Sequence, residues 1–370
     1  MIGPGFRVAI LALFALPTLA HADILYNLVD LGTLGGAHSL ASGINNNGEI
    51  VGNADTGAVD GAGNAIAHAF LWSNGHVTDL GTPPGGVSSS ARAINDLGQI
   101  AGSYSDGTHT RAFLLDHGTF TDLGTLGGTT SSATGINSLG AIVGFASTAQ
   151  NTTHAFLYDH GTMTDLTPTS ATDFGSTATG INSNGQISIN SHSGPVDSSG
   201  SSGLLYQPSG LTVIPDTISA WAINANGMVV GQPRGSSHGY IYSAGSSQQF
   251  GPFATVPHAI NSYGQVVGTL LAGITPNAGF LYSGGNTVDL NTLVDPSLGW
   301  HLGGATGIND LGQIVGSGTN SGGQTDAFLL NPVPEPGCLA PVFVVLSIVL
   351  SRQRAFRFAG RGCRFGRGIV

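Results

Sequence analysis

The chain contains no lysine, and of its 370 residues only Cys338 and Cys363 carry a thiol, both close to the C-terminus. The long segment before them is held by neither disulfides nor thiolate-bound zinc and must rely on packing, for which its length is ample. No His-Glu-x-x-His pair, Cys/His cluster or nucleophile elbow occurs, which leaves zinc and serine-hydrolase chemistry without support. Apolar residues do not recur at helical spacing between capping signals, and 59 glycines with 17 prolines argue against long helices. Basic residues are scarce as well. Between residues 23 and 332, Arg92, Arg111 and Arg234 face 18 aspartates and one glutamate, a net charge of −16. Such a surface repels phosphate backbones and anionic lipid, so no nucleic-acid partner is expected; it is compatible with solubility outside the cell, cation binding or neutral glycans.

What the chain has in abundance is one motif. Ile-Asn-x-x-Gly-x-(Ile/Val) occurs seven times, with its asparagine at Asn45, Asn95, Asn137, Asn182, Asn224, Asn261 and Asn309. The intervals run from 37 to 50 residues and average 44, the length of a four-stranded propeller blade. An apolar run, a polar turn ending in Gly and a second apolar run read as two strands in a hairpin, with the glycine supplying positive φ. Two residues before each asparagine stands Gly or Ala, as at Gly43, Ala93 and Gly135, which suits an inner strand crowded at a central axis. A third run follows in every copy, strongest as His68-Ala69-Phe70-Leu71-Trp72 and its counterparts at Arg111, His154 and Asp326, weaker at Gly203, Gly239 and Gly279. Its aromatic and β-branched content favours strand over helix. A fourth run carries Asp-Leu, at Asp79, Asp122, Asp165 and Asp289.

The last copy stops after its third run, while a lone fourth-type run containing Asp30 precedes the first copy. Strand exchange between the two ends would close a ring and cover both sheet edges. The expected fold is therefore all-β, a seven-bladed β-propeller of four-stranded blades closed by an N-terminal strand that completes the last blade. An open solenoid would need polar capping repeats, and none is visible.

Residues 1–22 have the features of a secretory signal: Arg7, an apolar run over residues 8–19, and Ala20-His21-Ala22, with cleavage expected between Ala22 and Asp23. The other end, residues 333–370, resembles a PEP-CTERM sorting tail. It carries the motif Pro334-Glu335-Pro336, an apolar stretch over residues 338–350, and Arg352, Arg354, Arg357, Arg361, Arg364 and Arg367. That resemblance implies a Gram-negative bacterium, an exosortase-type processing enzyme as partner and transient membrane anchoring through the tail. Two departures are the short apolar stretch, about 20 Å as a helix against a core of about 30 Å and with Pro341 inside it, and the continuation of the chain well past the first arginines, where tails of this type usually end. With the triplet His-Ala-Phe, the run Asp-Leu-Gly-Thr-Leu-Gly-Gly and Ile-Asn-Asp-Leu-Gly-Gln-Ile-Val-Gly in view, residues 25–331 resemble the HAF-repeat family of bacterial extracellular proteins. The resemblance implies architecture and a secreted or outer-surface location, and brings no catalytic residues.

The candidate chemical groups all have structural readings. His68 and His154 recur at equivalent places on different blades and would not converge, and His76, His117 and His160 flank turns. The fourth-run aspartates, too far apart for a glycosidase pair, would cap adjacent turns. Asp55 and Asp60, in the glycine-rich insertion over residues 53–65, are loosely similar to a calcium loop but lack its spacing and its terminal Glu, so calcium is a weak possibility and no cofactor is expected. The repeated asparagines can bond nearby backbone groups and tolerate the left-handed region. The expectation is a non-enzymatic surface protein that binds extracellular polysaccharide or a surface protein, with contacts on the long loops over residues 53–65 and 191–202. A glycan hydrolase or lyase with its site at the axis, or a purely structural matrix component, are the alternatives.

Overall fold

A computed structural model describes residues 25–167, 175–192, 201–252, 254–271 and 277–333. Ala22, Asp23, Pro334, Glu335 and Pro336, and with them the signal and sorting segments, lie outside the described residues. The described chain forms seven four-stranded antiparallel sheets in sequence order around one axis. Blade 1 consists of Ser39–Ile44, Ile50–Val59, Ala65–Ser73 and His76–Gly81, and the innermost strands of blades 2 to 6 are Ser88–Ile94, Gly127–Ile136, Gly175–Ile181, Thr217–Ile223 and Thr255–Ile260. Blade 7 takes His301–Ile308, Ile314–Thr319 and Thr325–Pro332 from the end of the array and Tyr26–Asp30 from its beginning. These ends pair with Tyr26 opposite Pro332 and Asp30 opposite Phe328, so the ring closes by the expected strand exchange.

Each repeat asparagine holds its own hairpin. The Oδ1 of Asn45 accepts from the backbone N–H groups of Asn47 (3.1 Å) and Glu49 (2.9 Å), and all six other copies repeat this pair. The glycine three residues on takes φ between 73° and 85° in every copy, a region costly for any residue with a Cβ. None of the seven asparagines itself has positive φ, so the expected left-handed role falls to the glycine alone.

The same side chains also bind the blades together, a role beyond the local one expected. Asn45 Nδ2 donates to the main-chain oxygen of Asn95 (3.0 Å), Asn95 to Asn137 (3.0 Å), Asn137 to Asn182 (3.2 Å) and Asn182 to Asn224 (3.0 Å). Asn224 then donates to Asn261 (2.9 Å), Asn261 to Asn309 (3.1 Å) and Asn309 back to Asn45 (2.9 Å). All seven residues are buried, so both ends of each amide are satisfied away from water.

Between blades, the core is built on a size match. Phe70, Phe113, Phe156, Phe280, Phe328 and Tyr240 of the third strands are fully buried. Each stands directly across from a second-strand glycine: Gly52, Gly102, Gly144, Gly268, Gly316 and Gly231 respectively. A Cβ on Gly52 would collide with the Leu40 carbonyl and come within 2.9 Å of the Phe70 ring. Blade 4 departs at both positions at once, pairing Ile189 with Leu204. Bulk lost from the third strand is returned by the second, a volume-conserving exchange. The expected crowding of the innermost strands is present too, since a Cβ on Gly307 would lie 3.0 Å from Val315 Cγ2 and 3.3 Å from Ile44 Cγ2.

Asn309→Ala removes the bond across the closure seam and leaves the Asn45 oxygen, the Gln313 side chain and two turn N–H groups each short of a partner. At roughly 1 kcal/mol per lost bond, denaturant unfolding should register a loss of about 4 kcal/mol. A loss below about 0.5 kcal/mol would show that the circuit is not a source of stability.

Candidate functional site

The axis is lined by what the innermost strands turn toward it. In all seven blades the register between first and second strands slips three residues before the repeat asparagine, between Ala41 and Gly43 in blade 1 and at the matching places in the others. The extra residue of such a bulge is left out of the ladder and its side chain is re-aimed. These residues are Ser42, Arg92, Thr134, Thr179, Trp221, His258 and Thr306. Several tie blade to blade. Thr134, Thr179 and Thr306 Oγ1 donate to the Ala178, Ala220 and Ala41 carbonyls at 2.8 Å, and His258 Nδ1 donates to the Ala305 carbonyl at 3.0 Å. Burial holds His258 below the usual imidazole value, with the Ala305 bond acting in the opposite sense. His258 is thus neutral at pH 7, its Nδ1–H committed and its Nε2 left as an acceptor.

Two cavities lie on the axis. One, of about 330 Å³, is walled by the repeat isoleucines, asparagines and the residues after them, so it sits on the hairpin-turn side. The other, of about 340 Å³, is lined by Ser42, Arg92, Thr134, His258 and Thr306 together with Ser132 and Phe145. Because the bulge residues precede the isoleucines along each strand, it lies on the far side of the isoleucine ring from the turns. His258 and Thr306 also line a third cavity of about 290 Å³ between blades 6 and 7, with Thr269, Asn277, Thr319 and Thr325 on its walls and Gly303, Gly304 and Gly318 among its lining. Hydroxyls, an amide, a neutral imidazole and a guanidinium thus border two neighbouring cavities that share His258 and Thr306 in their walls.

The residues singled out in the sequence are placed elsewhere. His68 Nδ1 bonds Asp79 at 3.0 Å in blade 1 and His154 Nδ1 bonds Asp165 at 2.7 Å in blade 3, each pair within its own blade and apart from the axis. The fourth-strand carboxylates cap turns as expected: Asp30, Asp79, Asp122, Asp165 and Asp289 accept from the N–H two residues on at 2.7–2.9 Å. His117 and His160 stand exposed on turns, each beside the preceding aspartate. Residues 53–65 are not a loop, which corrects the expectation: the second and third strands of blade 1 extend into them, leaving only a tight turn. There Asp60 accepts from the Ala62 and Asn64 N–H groups and from the Asn64 amide, bonds that hold its carboxyl below the usual range. Asp55 lies within the second strand. Among the described residues, no group of three or more His, Cys, Asp or Glu side chains gathers as a metal site. Residues 193–200, most of the second expected loop, lie outside the described residues.

The sequence reading missed the bulge residues. Their signal is present, however: three places before the repeated asparagine, one position varies among Ser, Arg, Thr, Trp and His between neighbours that are Ala or Gly, with Pro257 the one exception, and it holds one of three arginines in the array.

No known protein-family model matches the chain, and no curated protein matches it. Among solved structures, the β-propeller domain of the Trilobed protease from Pyrococcus furiosus is similar with a TM-score of 0.52 and 13% identity, over 79% of this chain and 95% of that one. That propeller has an open velcro topology, whereas this seam is closed by paired strands. TolB from Acinetobacter baumannii is similar with a TM-score of 0.42 and 14% identity over 77% of this chain, which spans 63%, less than two thirds, of the TolB chain. SapL1 lectin, solved with alpha methyl fucoside, gives a TM-score of 0.38 and 14% identity over 69% of this chain and 96% of that one. At such identities the likeness concerns the propeller fold alone.

One carboxylate is out of keeping with the rest. Blade 7 has Asp326 where blades 1 and 3 have the histidine that meets the fourth-strand aspartate, and the aspartate facing it here is Asp30. Asp326 is buried, its Oδ2 accepts from Asn320 Nδ2 at 2.6 Å, and its Oδ1 has no partner. Burial first, and then the charge of Asp30, raise its carboxyl above the usual value, while the Asn320 bond and His38 act against the rise. A carboxyl easier to protonate when folded than when unfolded leaves stability undiminished below the unfolded value near 3.8 and lowers it as pH rises through the folded value. Asp326→Asn should therefore raise the melting temperature at pH 7, with the gain vanishing toward pH 4. Equal gains at both pH values would show that charge is not the cause.

Proposed function

We propose that this protein is a non-enzymatic, exported β-propeller of the HAF-repeat type that binds extracellular polysaccharide in the recess formed by its axial cavity and the groove between blades 6 and 7. The observation that carries the reading is that His258 and Thr306 line both of those cavities. Hydroxyls, an amide and a neutral imidazole on a rigid ring, with Arg92 as the one charged group beside them, match the repeating hydroxyls of a glycan, and propellers present such sites without altering the scaffold. The neutral imidazole and the threonine hydroxyls are already oriented by bonds to the next blade, so little side-chain freedom is lost on binding. Against catalysis stands the commitment of the fourth-strand carboxylates to turn capping, which spaces them around the outside of the ring.

The purified protein applied to an array of bacterial and plant glycans should be retained without releasing product. Product release would replace the reading with an enzymatic one, and the absence of retention on every glycan would favour a matrix role.

The same reading assigns residues 1–22 to export and residues 333–370 to exosortase-type processing at Pro334, Glu335 and Pro336, with transient anchoring at the outer surface. Deletion of residues 333–370 should shift the protein from the cell surface into the medium in a fractionation assay, and an unchanged distribution would remove the sorting claim.

A further inference from the structure

We propose that Arg92 makes the axial cavity selective for carboxylate-bearing sugars, so that the polysaccharide recognised is a polyuronate; this rests on the binding function proposed above. The case begins with how the few cations of the array are used. Arg111 lies 3.7 Å from Asp122, and Arg234 Nη2 donates to the Ser201 and Thr217 carbonyls at 3.0 and 3.4 Å. Arg92 makes neither kind of contact: among the described residues it has no ion pair or side-chain hydrogen bond, and it is exposed into the cavity that it lines. The other bulge positions are neutral, including His258, so one uncompensated guanidinium stands in the axial recess.

The surrounding negative charge does not cancel it. The turn-capping aspartates are on the fourth strands, three inter-strand spacings or about 14 Å from the innermost strands, beyond a screening length of about 8 Å at physiological salt. Asp96, four residues along the same chain and up to about 13 Å away, borders the other axial cavity, where it accepts two bonds from Asn46. Asp310 likewise borders that cavity and accepts from Ser262 N–H. An anion reaching the bulge ring therefore meets a guanidinium that, among the described residues, no carboxylate holds in an ion pair.

Guanidinium and carboxylate match as a planar fork, with two parallel N–H···O bonds that an ester or hydroxymethyl group cannot reproduce. The cavity of about 340 Å³ is at the small end of the range for ligand pockets, suited to a sugar-sized unit. The equivalent bulge position in blade 5, Trp221, is 38% exposed but does not line this cavity. Thr306 and His258, already fixed by their bonds to neighbouring blades, then serve the ring hydroxyls.

The test is calorimetric titration of the full chain with polygalacturonate and with the same polymer fully methyl-esterified, which removes the charge and keeps the sugar. The acid should bind about tenfold more tightly than the ester or better, and Arg92→Gln should bring the ratio of the two affinities to about one. Arg92→Lys, which keeps charge but not the fork, should retain only part of it. Circular dichroism checks that the variants fold, as expected for an exposed side chain bonded to nothing. Equal binding of acid and ester by the wild type, or an undiminished preference in Arg92→Gln, would overturn the inference while leaving polysaccharide binding intact. Failure of the wild type to bind either polymer or any arrayed glycan would remove both.

Discussion

Every other feature of this propeller is positioned by one primary amide used four ways. The oxygen of each repeat asparagine closes its own hairpin, and its nitrogen reaches the main chain of the next blade, so the turn and the blade interface share a single residue. Five copies use the remaining N–H for the Glu or Gln that follows the turn glycine, at 2.7–2.8 Å. A buried amide with unmet bonds would be destabilising, whereas one with all of them met fixes geometry because no other arrangement satisfies it. The circuit is also directional: each asparagine donates to the one after it, and the last donates to the first.

The seam between blades 7 and 1 therefore joins as an ordinary blade interface. The Asn309 bond to Asn45, the Thr306 bond to Ala41 and the Ala327 N–H bond to Ser39 Oγ at 2.9 Å repeat contacts made elsewhere in the ring. What differs at the seam is electrostatic, since the third strand of that blade brings Asp326 toward the Asp30 of the borrowed fourth strand.

The recess follows from the same constraint. With hairpins and interfaces fixed by the asparagines, the bulge three residues earlier recurs in every blade and turns one side chain per blade to the axis. The scaffold tolerates Ser, Thr, His, Trp or Arg there because no interface depends on all seven. Thr134, Thr179, His258 and Thr306 bond the next blade, whereas Arg92 and Trp221 make no such bond among the described residues, so it is at positions of the latter kind that the side chain can vary without cost to the ring.

The repeat spacing, the hairpin glycines, the third-strand aromatics and the unmatched strands at the two ends determined blade number, strand order and closure before any coordinates. They did so because they are periodic, and each copy confirms the others. The turn-capping role of Asp79 and its counterparts was equally legible, for an aspartate beside a turn bonds within two residues of itself. The asparagine circuit was only half legible: its local bonds follow from sequence neighbours, but its partner in the next blade lies 37 to 50 residues away across six of the seven interfaces, and 264 away at the seam. The residues of the axial site were not read, since a bulge is a matter of register between strands and leaves no apolar periodicity behind. Sequence determined the wheel from local chemistry repeated seven times; tertiary structure alone decided that Arg92, His258 and Thr306, distant along the chain, border one cavity.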